Sequence, residues 1–257
     1  MIWSVDIHTV ATARTPGPEV YFQRDFGHWV DIAIHVFVLR SSLGVVLVDT
    51  GLIPDTSDLN AAMKRRKGPE AGFNRCGSGV EPLLQDGFAA VLLTSFGPYA
   101  AGGVNAVPDA VPVYASARGL ANLAMPEEPC LVHGLPQVVS NRLAKARPVH
   151  DTLEVMPGIA MREVGVHHPA STAIEIATEE GLLVIADPIF STDNLTRGVA
   201  LGASENAAGW HRLVRDYAAR GARFLPIHEP VPHPVAVHLS PDGRWSATTA
   251  SARSDAT

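Results

Sequence analysis

The sequence predicts an α/β (α+β) domain built as a four-layer αββα sandwich, two β-sheets face to face with helices outside. Three observations predict it. Short β-branched, apolar runs come in two blocks, each followed by helix-forming sequence, which suits two sheets with outer helices. Hydrophobic residues make up 46% of the 257 and charged residues only 18%, ample for a large core. Neither a linker nor a short-period repeat divides the chain, so residues 1–243 read as one domain and 244–257, rich in Ser, Ala and Thr, as a flexible tail.

Taken in order, 32–39 and 44–49 are strands joined by the turn at 40–43, a hairpin pattern. Residues 50–79 carry Pro, Gly and charge without periodicity and read as a long arm or lid with a short helix at 58–66. A short helix at 81–85 and a buried strand at 89–94 follow. Next come a strand at 111–115 and a helix from Ser116, its N-cap, to about Met125. Residues 126–150 are interrupted by Pro and give no clear element. Strands at 159–164, 172–177 and 182–187 are divided by turns, and a helix over 205–220 is closed by Gly221. A last strand at 224–227 leads into His228-Glu229-Pro230.

Charge and leader signals exclude several function classes. A net charge of -6 gives no footprint for nucleic acid, and Lys64-Arg65-Arg66-Lys67 reads as a solvated helix end. Residues 1–6 show no basic region leading into an apolar stretch, and no run approaches the roughly 18 apolar residues of a membrane span, so a cytoplasmic protein is expected. Cys76 and Cys130 sit in no C-x-x-C pattern and are expected to be reduced thiols.

Polar residues cluster where strands end: Asp49-Thr50-Gly51, the stretch from Thr94 to Gly103, His167-His168-Pro169, Asp187 and His228-Glu229-Pro230. Each alone is weak, since an Asp closing a strand usually serves a turn and a lone His is usually structural. Asp49 reads as an organiser of neighbouring loops, and Gly102-Gly103 as a turn into the next helix. Ser95-Phe96-Gly97 lacks the G-x-S-x-G elbow of a serine nucleophile. Among the other histidines, His28 and His35 could reach a pocket, and His211 is expected to face solvent.

In order and spacing these five blocks resemble the metallo-β-lactamase superfamily, in its N-acyl homoserine lactonase-like branch, over residues 25–235. Phe26-Gly27-His28-Trp29-Val30-Asp31 and Asp193-Asn194-Leu195 add to the resemblance. It implies a small-molecule hydrolase whose strand ending at Thr94 leads into H-x-H-x-D-H, with two later His and a bridging Asp holding two metals. The four loop positions fall on Ser95, Gly97, Tyr99 and Ala100, none a good ligand, while His167, Asp187 and His228 fill the later three.

Three readings follow. In the first, no metal or other cofactor is used, and His167, Asp187, His228 and Tyr99 carry acid–base chemistry on a carbonyl, ester or lactone substrate: hydrolysis, elimination, cyclisation or isomerisation. Ser95, Phe96, His168 and Glu229 then line the substrate site, with His168 assisting His167 and Glu229 orienting His228. In the second, His167, Asp187 and His228 hold a single zinc or iron. In the third, the pocket binds a ligand without turnover. The expected partner is a small molecule, with no nucleic acid and no membrane, and the arm is free either to cover the site or to meet a second copy in a homodimer.

Overall fold

The computed structural model describes residues 1–76, 79–124, 135–240 and 245–249. The first sheet comprises β1 (Ser4–Pro16), β2 (Trp29–Ser41), β3 (Gly44–Val48), β4 (Gly72–Arg75), β5 (Ala90–Leu92), β6 (Val113–Ser116) and β7 (Arg147–Val149). Its order is β4-β1-β2-β3-β5-β6-β7. The second sheet comprises β8 (Thr152–Met156), β9 (Ile159–Glu163), β10 (Thr172–Thr178), β11 (Gly181–Ala186), β12 (Arg223–Phe224), β13 (Val235–Leu239) and β14 (Trp245–Thr249), in unbroken sequence order across the sheet. One core cluster takes side chains from both sheets, as the expected sandwich requires.

β2 explains why its sequence reads as a continuous apolar run rather than an alternating one. Every residue from 32 to 39 is buried, so both faces of the strand are covered. Its hairpin with β3 closes at Ser41 and Gly44, as expected. Long-range ties join the sheets: the Trp3 amide donates to Ala177 O at 2.9 Å, and the Thr172 amide to Thr94 O at 2.8 Å.

The helices are α1 (Gly17–Val20), α2 (Ser57–Lys67), α3 (Ala117–Ala124), α4 (Gln137–Leu143), α5 (Thr192–Thr196) and α6 (Ala207–Ala219). In α6, Trp210, Leu213, Val214 and Tyr217 form one buried stripe, Asn206 caps the start by accepting from the Gly209 amide at 2.8 Å, and Gly221 follows at φ +69°. Ser116 is the expected cap of α3, accepting from the Gly119 amide at 3.0 Å. Met125, Cys130 and His133 lie outside the described residues.

Several expectations are corrected. β1 has too few apolar residues to announce a strand in the sequence, yet it pairs with β2 from Ser4 opposite Arg40 to Pro16 opposite Trp29. In the arm, α2 forms where a short helix was expected, while β4, not expected there, adds to β1. β8 and, within 126–150, α4 and β7 were not anticipated, and the strand expected at 224–227 shortens to Arg223–Phe224. The tail is not frayed throughout, since Trp245–Thr249 pair with β13 and the Trp245 indole reaches Leu195 O. Among the described residues, no helix is long and apolar enough to cross a membrane.

Candidate functional site

The ends of β3, β5, β10 and β11 gather the polar residues that the sequence singled out. At the end of β3, Asp49 adopts φ +61° and turns its carboxylate to Thr94, accepting from the amide at 2.7 Å and the hydroxyl at 2.6 Å. Burial pushes the Asp49 carboxyl up to about 7, against the pull of those two donors. Asp49 is thus an organiser of the loop after β5, as expected. Gly103 in that loop packs against the Thr50 carbonyl, leaving no room for a side chain.

His167 is aimed by an unusual turn. Its amide donates to Gly165 O at 2.9 Å, closing a γ-turn centred on Val166, whose φ is +75°. That conformation is rare for any side chain and a true outlier for a β-branched one. It is held from behind, where the Val166 carbonyl accepts from the Asn206 amide at 3.0 Å and the Ser204 hydroxyl at 2.8 Å.

So aimed, His167 donates through Nδ1 to Asp187 Oδ2 at 2.9 Å. The Ser171 hydroxyl donates to the same oxygen and accepts from the His168 amide at 3.1 Å. Burial raises the Asp187 carboxyl, but the charges of His167 and His168 and the donated hydrogen bonds outweigh it and hold it down at about 2. His168 packs against His167, ring centroids 4.7 Å apart, and approaches the same carboxylate oxygen: its Nδ1 accepts from the Ala170 amide at 3.2 Å, and its Nε2 is 3.6 Å from Asp187 Oδ2. Burial lowers His168 to about 4.

His228 is clasped by one residue of the opposite sheet. Ala33 accepts from His228 Nδ1 at 2.8 Å and donates its amide to His228 O at 3.0 Å. With Nδ1 donating, Nε2 of His228 keeps its lone pair, and burial holds the ring down at about 4, hence neutral. Tyr99 meets His228 edge to face at a centroid separation of 5.0 Å, and Phe190 packs edge on against His228 at 4.4 Å and His167 at 5.4 Å. Burial, then the Asp187 charge, pushes the Tyr99 phenol well above its usual value, so it remains a donor.

His167, His228, Tyr99 and Phe190 share a cavity of about 100 Å³ with Glu19, Met63, Lys67 and Phe73. Among the described residues, seven buried side-chain polar atoms have no hydrogen-bond partner; two of them, Tyr99 Oη and His228 Nε2, belong to residues that line this cavity, and two more, His168 Nε2 and Asp187 Oδ1, belong to the residues next to His167. Each such atom costs on the order of 1–3 kcal/mol, so their clustering marks a place kept for something other than stability.

Not every expected residue joins the site. Ser95 and Phe96 are buried and do not line the cavity; the Ser95 hydroxyl accepts from the Gly97 amide at 3.3 Å and reaches the site only through Tyr99, whose phenol it acts on, and Phe96 packs toward Gly119. His168 packs against His167 and does not line the cavity. Glu229 does not orient His228, because its carboxylate accepts from the Thr192 amide at 2.6 Å and Ala33 does that work instead. His35 is committed to Thr9 and to the Glu229 carbonyl, and His28 is exposed. His211 is half-buried against Trp210 and Trp245 rather than turned to solvent, and Lys67 departs from its solvated neighbours by pairing with Glu19. Sequence reading missed Ser171, Phe190 and Glu19; Ser171, close after His167-His168, and Phe190, close after Asp187, stood near motifs, whereas Glu19 did not.

No family model and no curated protein matches this chain by sequence. Solved structures do match. An N-acyl homoserine lactone hydrolase, with the product N-hexanoyl-L-homoserine at its catalytic metal centre, superposes at TM-score 0.74 and 15% identity over 90% of this chain and 95% of that one. A hydrolase of the beta lactamase superfamily superposes at TM-score 0.62 and 16% identity over 95% and 93%. The chain has the metallo-β-lactamase fold. A dizinc quorum-quenching lactonase with the same fold is similar at TM-score 0.69 and 15% identity over 97% of this chain and 95% of that one. The Gly97 position is closed by the Tyr99 ring, since a Cβ there would lie 2.5 Å from Tyr99 Cζ.

Proposed function

We propose that this protein is a hydrolase of small ester or lactone substrates that works by acid–base chemistry without the two metals common in its fold. The cluster of four unpartnered polar atoms beside the His167–Asp187 pair carries this reading. Asp187 holds His167 through Nδ1, which leaves Nε2 as the nitrogen that takes a proton from a water attacking the substrate carbonyl. The Tyr99 hydroxyl donates to the carbonyl oxygen as charge builds there. The His228 Nε2 lone pair accepts the other hydrogen of that water. A dyad of this kind contributes about a hundredfold to ten-thousandfold in rate.

The residues do not fit a metal pair: the loop offers no imidazole or carboxylate, and Tyr99 fills the space beside Gly97. One observation favours a single metal, because ligand atoms of His167, His168 and Asp187 lie within 4.8 Å of one another. This set includes His168 instead of the His228 expected from sequence. Against it stands the Ala170 amide on His168 Nδ1, which leaves the proton of neutral His168 on Nε2, the atom nearer Asp187. A nitrogen that keeps its proton is no ligand.

Elemental analysis of protein purified without added metal or chelator, paired with lactone and ester hydrolysis before and after chelation, tests this reading. Turnover that survives chelation and is lost in His167→Gln is expected. One zinc or iron per chain, lost along with activity in His168→Ala, would establish the single-metal reading. Two metals per chain would overturn both, and tight ligand binding with no turnover would make the domain a binding protein.

A further inference from the structure

Met63 and Lys67 from α2 and Phe73 from β4 form one wall of the cavity, opposite Tyr99, Phe190 and His228. This wall is one unit: the Asn60 side chain on α2 donates to Phe73 O at 2.9 Å and accepts from the Phe73 amide at 2.7 Å. Two ion pairs pin it to the rim, Lys67 to Glu19 of α1 and Arg14 of β1 to Glu70, and the Thr15 hydroxyl donates to Glu19 at 2.6 Å.

The cavity beside His167 has a volume of about 100 Å³. Sites for drug-sized ligands run to roughly 300–1,000 Å³. A carbonyl with two or three carbons fits beside His167; a long acyl or alkyl chain meets Met63 and Phe73.

We infer that Met63 and Phe73 are specificity-determining residues that restrict this site to short-chain esters and small unsubstituted lactones. This rests on the hydrolase reading above. The Lys67–Glu19 pair stands in the wall, and a longer chain leaving the cavity past it would have to part the two.

Proton release from γ-butyrolactone and methyl acetate, compared with γ-decalactone and methyl octanoate, tests the inference. Wild-type kcat/KM is expected to favour the short member of each pair at least tenfold. Met63→Ala, on a half-buried helix position, is expected to reduce that preference threefold or more by raising the long-chain rate; Phe73→Leu, a smaller change at a more buried position, is expected to act in the same direction. Equal rates on short and long substrates in the wild type, or an unchanged ratio in both variants, would overturn the inference and leave the hydrolase reading standing. If no substrate turns over, the hydrolase reading falls, and ligand-observed NMR with the same four compounds still decides the size limit: binding of the short pair alone upholds it, binding of the long pair overturns it.

Discussion

The ring of Tyr99 occupies the space that any side chain at Gly97 would need, with Cζ 2.5 Å from where a Cβ would stand. Gly97→Ala therefore forces the ring aside, and overpacking of this kind costs about 1–3 kcal/mol. In a Tyr99→Ala background the same substitution should cost markedly less. A double-mutant cycle by urea denaturation measures the difference, and equal costs in the two backgrounds would show that the ring is not what closes the position.

His167→Gln removes the base, and Asp187→Asn removes the acceptor that fixes its tautomer. Each should lower kcat by about a hundredfold to ten-thousandfold, with KM changed far less. Asp187→Asn also leaves the Ser171 hydroxyl and His167 Nδ1 without their carboxylate, so it should lower the melting temperature, whereas His167→Gln should lower it less.

Acid should unfold the protein through its buried imidazoles. His168 and His228 are both held down at about 4, below the ordinary 6.5. The unfolded chain therefore binds more protons than the native one between those values. Stability is full above about pH 6.5 and is lost as pH falls toward 4, at roughly 1.4 kcal/mol for each unit of pKa separation. Asp49, raised to about 7, works with the opposite sign and gives back stability as pH falls from 7 toward 4. Urea midpoints at pH 7.5 and pH 5 should differ less in His228→Gln than in the wild type, and more in Asp49→Asn.

Val166 sits at φ +75° in the turn before His167. Val166→Gly should relieve strain on the order of 1–3 kcal/mol, offset by an entropic cost of about 0.5–1 kcal/mol and by the loss of a half-buried side chain packed against the core, so the variant should be close to the wild type in stability. Freed of that constraint, His167 should be aimed less well and kcat should fall. A stable variant with full activity would separate the turn from the chemistry.

The legible parts of this molecule were those with a strong local signal. The β2–β3 hairpin announces itself by apolar runs around a short turn, and α6 by its stripe, cap and closing Gly221. Asp49, His167, Asp187 and His228 were readable because each directly follows or lies near a strand end. β1 was not, since Thr, Ala and His residues gain their strand character only by pairing with β2 and β4. Glu19, Met63 and Phe73 reach the cavity from elements distant in sequence and carry no motif, and Glu229 was misread because a neighbour in sequence proved a poorer guide than Ala33 across the sheets.

The clasp of Ala33 on His228 joins residues 195 apart in the chain. Contacts this distant form late, after the entropy of closing a very long loop has been overcome. The pocket is therefore completed only when the two halves of the chain dock, and a nascent chain could acquire either sheet without acquiring the site. Recovery of hydrolysis during refolding would then lag behind recovery of secondary structure, which makes activity itself a clock for the final docking step.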